Sequence, residues 1–81
     1  MLPEILTIEP GSCFEERLPP DSQRFIFVLE GGITISSSKN NYTLNKNQSI
    51  YITDAAIPIS FKNESTVLPA RILCINTPAI L

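Results

Sequence analysis

Arg24-Phe25-Ile26-Phe27-Val28-Leu29, followed by Glu30-Gly31-Gly32, is the most hydrophobic stretch of the chain and decides its fold. Aromatic and β-branched residues dominate it, the types that pack best on a pleated surface. Six residues are too few for a stable helix, so the run predicts a strand buried on both faces. The paired glycines predict a tight reversal into Ile33-Thr34-Ile35-Ser36, whose apolar and polar residues alternate with the period of two that gives a strand one inward face.

The same pattern continues in both directions. Upstream, Ile5-Leu6-Thr7-Ile8-Glu9 stops at Pro10-Gly11, and a more polar strand over residues 12–18 stops at Pro19-Pro20. Downstream come the short strands Tyr42-Thr43-Leu44 and Ser49-Ile50-Tyr51-Ile52-Thr53. Next is Ile57-Pro58-Ile59-Ser60-Phe61-Lys62-Asn63, with Ile57, Ile59 and Phe61 on one face, and finally Ala70-Arg71-Ile72-Leu73-Cys74-Ile75-Asn76. Pro58 lacks an amide donor, so it predicts either an edge strand or a place in the strand's first turn. No window shows the 3.6-residue apolar recurrence of a helix. About eight short strands punctuated by turns predict an all-β single domain over residues 1–81, an antiparallel sandwich, jelly roll or small β-barrel.

Composition narrows the chemistry. Eight acidic against six basic residues give a net charge of -2, which offers no footprint for a phosphate backbone and argues against nucleic acid. There is no His, which removes Ser-His-Asp and Cys-His catalysis, His-ligated metals and the usual base near neutral pH. Cys13 and Cys74 are too few for a disulfide scaffold; an antiparallel sheet allows them to pair, but buried free thiols are the expectation. The first residues carry no basic and apolar leader pattern, and no apolar run approaches the roughly 20 residues that cross a bilayer as a helix. The expectation is a cytoplasmic protein without a membrane partner.

From Pro10-Gly11 through Phe27-Val28-Leu29-Glu30-Gly31, Asn47-Gln48 and Ile57-Pro58-Ile59 to Thr77-Pro78-Ala79, the order and spacing of landmarks resemble the cupin family. The run Leu18-Pro19-Pro20 followed by the central strand is similar to the N-terminal cupin half of ureidoglycine aminohydrolases. The resemblance implies a cupin-type jelly roll with a lumen. In the family two His and a Glu come from the first motif and one His from the second. Here those positions fall on Leu18, Pro20, Arg24 and Ile59. An Arg cannot give up its proton to bind a cation. The resemblance therefore implies a barrel without metal or other cofactor, because in ureidoglycine aminohydrolases the catalytic metal belongs to the other half.

Alternation along the central strand points Arg24, Ile26 and Val28 into the lumen. Two readings of Arg24 follow. With Leu18, Ile26, Ile59 and Phe61 it forms a pocket holding the carboxylate of a small organic anion. Alternatively it pairs with Glu15, Glu16 or Asp21 or is solvated, and the apolar side chains are core that fills the barrel. Glu15 and Glu16 are adjacent in a strand, so they face opposite ways and make no acid/base pair. A nucleophilic Cys13 has no neighbouring cation to lower its pKa. The functional expectation is a metal-independent, non-catalytic cupin that binds a small molecule or assembles. The alternative is a subunit or fragment of a ureidoglycine aminohydrolase-like enzyme with its catalytic cupin elsewhere. The chain is expected to lack the peripheral strands of larger cupins, which leaves an edge or an apolar face needing cover; a homodimer is expected to supply it, with residues 1–8 and 77–81 as the swapped or packed parts.

Overall fold

The computed structural model describes residues 3–17, 22–37, 40–52 and 58–78. Eight strands run in order: β1 (Pro3–Ile8), β2 (Cys13–Glu16), β3 (Ser22–Glu30), β4 (Gly32–Ser36), β5 (Asn41–Asn45), β6 (Ser49–Ile52), β7 (Ile59–Lys62) and β8 (Ala70–Pro78). They form two four-stranded sheets, β1-β8-β3-β6 and β2-β7-β4-β5, with every neighbouring pair antiparallel. The all-β jelly roll expected from the strand pattern is what the chain adopts.

Alternation sets what each sheet turns inward. The first sheet contributes Ile8, Ile26, Val28, Ala70, Ile72 and Cys74 to one core, and the second contributes Ile33, Ile35, Leu44, Ile59 and Phe61. Phe14 stacks on Phe61 with ring centroids 5.0 Å apart, extending the core under β2. Burying side chains of this size stabilises by about 1.5–3 kcal/mol each, the main force holding the two sheets together.

Gly31 corrects the expected reversal. β3 lies in the first sheet and β4 in the second, so Glu30-Gly31-Gly32 is a corner between sheets and not a hairpin. Gly31 adopts φ +74°, and a Cβ there would lie 2.9 Å from the Pro69 carbonyl oxygen. Both the backbone conformation and the space demand glycine. A bulge between Val28 and Glu30 bends β3 just before this corner. Pro58 immediately precedes β7, which is an interior strand, so it occupies the strand's start and not an edge.

The outward faces of the two sheets differ. On the second, Cys13, Glu15, Ser60, Lys62, Thr34 and Thr43 face away from the core. On the first, register aligns Pro3, Ile75, Phe25 and Tyr51 in one row across all four strands, and Ile5, Leu73, Phe27 and Ser49 in the next. Phe25 and Phe27 are half-buried, so β3 is not enclosed on both faces as its composition predicts.

Candidate functional site

β3 enters the lumen with Arg24 at its inward position. Its register partners are Asn76 on β8 and Ile52 on β6. Only 4% of Arg24 is exposed. A guanidinium buried to this degree is costly unless charge and hydrogen bonds compensate. Compensation comes from both sheets: Nε donates to Asn76 Oδ1 at 2.6 Å, and Nη1 pairs with the Glu16 carboxylate. Glu16 reaches across from β2, where it stands opposite Ile59, and its side chain is 31% exposed. The pair therefore sits where the lumen meets solvent.

Cys74, two residues before Asn76 on the same inward face, completes the group. Burial pushes its thiol above the ordinary range; the nearby Arg24 charge pulls the other way, Glu4 on β1 adds to the rise, and a hydrogen bond from Arg24 opposes it. A nucleophilic thiol needs the reverse shift. Cys13 is exposed, against the expectation of a buried thiol, because it takes the outward position of β2 opposite Lys62.

Arg24, Ile26, Ile59 and Phe61 are all buried inside the barrel, and Ile26, Ile59 and Phe61 belong to one packed cluster. Leu18 lies outside the described residues. Of the charged partners considered for Arg24, Glu16 is the one the structure brings to it; Glu15 faces outward, and Asp21 lies outside the described residues. Asn76 was missed by sequence reasoning although a signal exists, since it shares the parity of Ala70, Ile72 and Cys74 and so turns to the face of Arg24, at the exposed end of the strand. Asn63, in the same parity as Ile59 and Phe61, was missed likewise.

The lumen does not fit a bound metal ion. A guanidinium, already engaged, stands where the resemblance places an acidic ligand, and Ile59 stands where it places a His. Among the described residues no group of three or more His, Cys, Asp or Glu side chains is arranged to hold one. Nor is any helix there long and apolar enough to cross a membrane.

A family model described as a cupin domain matches residues 4–76. Among solved structures, the chain is similar to the crystal structure of TT1209 from Thermus thermophilus. The TM-score is 0.78 at 20% identity, over 94% of this chain and 70% of that one. It is also similar to the Clostridium difficile EutQ protein, with a TM-score of 0.74 at 17% identity over 95% of this chain. It spans 51% of the EutQ chain, about half its length. At these identities the likeness is one of fold. No curated protein matches the chain.

Proposed function

The chain belongs to the cupin domain family, and we propose that it is a metal-independent, non-catalytic member serving as an assembly module. The observation that carries this reading is the Glu16–Arg24–Asn76 group. It places an ion pair bridging the two sheets where the family resemblance puts a metal centre, and Ile26, Ile59 and Phe61 pack the lumen behind it. A filled lumen stabilises a small barrel and leaves recognition to the surface. Free thiols and a net charge of -2 accord with a cytoplasmic protein that does not bind nucleic acid.

The competing small-carboxylate reading requires an anion to displace Glu16 from Arg24. The ureidoglycine aminohydrolase-like alternative shares the metal-free prediction and adds a metal-binding cupin on a second polypeptide. The test is metal analysis of protein purified without chelator, together with melting against a panel of small carboxylates. Substoichiometric Mn, Fe, Zn and Ni and unshifted melting are the expected results. Stoichiometric metal overturns the metal-free reading. A carboxylate shift that disappears in Arg24→Met replaces the filled lumen with an anion site.

A further inference from the structure

We propose that the Glu16–Arg24 contact is autoinhibitory: Arg24 and Asn76 build a site for one carboxylate at the barrel mouth, and Glu16 occupies it from within the chain. A small aliphatic monocarboxylate from solution and the Glu16 side chain then exclude each other. The inference deepens the metal-free reading and rests on it, because the site is a cation in the place of a metal centre. The two halves of the pair are held differently. Arg24 lies in β3, an interior strand with β8 on one side and β6 on the other. Its guanidinium is fixed by Asn76 Oδ1, 2.6 Å from Nε, and by the Cys74 thiol. Glu16 is the last residue of β2, a four-residue edge strand paired with β7 alone. The end of such a strand opens far more readily than the core. Phe14, stacked on Phe61, anchors β2 two residues earlier, so Glu16 leaves Arg24 without the strand leaving the sheet.

Burial differs in the same sense. The Arg24 side chain is 5% exposed and that of Glu16 31%. A cation inside the barrel has no route to water, whereas a carboxylate already touching solvent rehydrates as it leaves. The anion is therefore the exchangeable partner, and the cation requires some anion in its place. A guanidinium offers five N–H donors in a fork that suits the two oxygens of a carboxylate, and Asn76 takes the Nε one. The surroundings set the rest of the ligand. Ile59 stands opposite Glu16, Ile52 is the register partner of Arg24, and Ile26 and Phe61 are buried behind them. The site thus takes a carboxylate on a short aliphatic tail, the shape of the Glu side chain itself. Attached to the barrel, Glu16 competes at an effective concentration of about millimolar or more, so a dilute free carboxylate does not displace it.

Glu16→Ala removes a methylene and a carboxylate, which acetate restores. The experiment follows thermal unfolding of the parent, Glu16→Ala and Glu16→Ala/Arg24→Met in sodium acetate and in sodium chloride of equal ionic strength, with acetamide as the uncharged control. At about 100 mM acetate, Glu16→Ala should melt about 5 °C higher than in chloride, the shift of a small domain whose ligand stands at about ten times its dissociation constant. Acetamide should shift nothing. The parent should bind acetate roughly tenfold more weakly or worse, and the double variant, which lacks the cation, should not respond. Should Glu16→Ala fail to fold in chloride, Glu16→Gln replaces it: the amide keeps the shape of the side chain, drops its charge, and should bind acetate more tightly than the parent. No acetate response in the Glu16 variant, a response equal to the parent's, or one that survives in the double variant overturns the proposal and leaves the pair a structural tie between the sheets. Metal content is measured on the same parent preparation. Stoichiometric metal sinks the metal-free reading whatever acetate does, and a missing acetate response without metal sinks this proposal alone.

Discussion

Among the described residues two polar side chains are buried, Asn63 at 1% exposure and Arg24 at 4%, and they lie toward opposite ends of β8. Asn63 makes its hydrogen bonds with the main chain. Its Nδ2 donates to the Ile8 and Leu68 carbonyls at 3.0 and 2.8 Å, and its Oδ1 accepts from the Ser65 amide at 3.0 Å. Its own backbone is paired as well, the amide donating to the Ser12 carbonyl and the carbonyl accepting from the Gly11 amide. One amide thus ties the end of β1, the turn into β2 and the loop before β8. Arg24 instead engages side chains, those of Asn76, Glu16 and Cys74. A polar group bonded to backbone cannot be exchanged without undoing the loops it holds. A group bonded to side chains can be replaced as a set. The first is part of the fold; the second occupies the place where the family resemblance puts a metal centre.

The comparison breaks most visibly at Asn63. Asn63→Ala removes three hydrogen bonds and strands the buried Ile8 carbonyl, which should cost about 3–5 kcal/mol. For a domain of this size that is a large share of its stability. Urea denaturation measures it, and a loss under about 1 kcal/mol would show that the loops hold without the amide.

At the other end the effect depends on which partner is left behind. Glu16→Ala abandons a cation that is almost wholly buried and should cost about 2–4 kcal/mol. Arg24→Met leaves Glu16, which is partly exposed and can rehydrate, while Met fills the lumen; about 1–2 kcal/mol is expected. The double variant Arg24→Met/Glu16→Leu should recover most of the Glu16→Ala loss, because an apolar replacement of both ions removes the stranded charge. Equal single losses, or a double variant as unstable as the worse single one, would show that the pair is not a replaceable unit. Denaturant unfolding of the parent and the three variants supplies all four values.

The same contrast explains how far the sequence could be read. The strands were legible because alternation and turn residues are local, and Arg24 was correctly turned inward by parity alone. The jelly roll followed from the number of short strands and from the cupin landmarks. The corner at Gly31 was not legible as a corner, because a Gly-Gly step serves a hairpin or a change of sheet equally well. What distinguishes them is the Pro69 carbonyl, 38 residues away in the chain. Glu16 could be narrowed to three acids but not chosen, since its meeting with Arg24 spans the two sheets. The outward face of β3, with Phe25 and Phe27 half-buried, was misread for a related reason. Composition reports that a strand is apolar on both faces, but not whether this chain supplies the cover.

The smallest effect concerns Cys74, which lies on the Arg24 side of the comparison and gives it a pH signature. Burial first, and Glu4 second, raise the thiol pKa in the folded protein, against the lowering influence of Arg24. The folded state therefore holds the proton more tightly than the unfolded chain, whose thiol titrates in the ordinary range. The sign follows from linkage: this stability is fully present below the unfolded value and is lost as pH rises through the higher folded one. Cys74→Val should flatten the alkaline arm of a stability-against-pH curve relative to the parent. Arg24→Met should deepen that arm, since both lowering influences on the thiol disappear with the guanidinium. Asn63→Ala, acting through neutral backbone bonds at the far end of β8, should lower the curve without changing its slope. An alkaline arm for Arg24→Met parallel to the parent's would mean that the thiol does not feel the Arg24 cluster, and the two buried polar groups would then differ in partners alone.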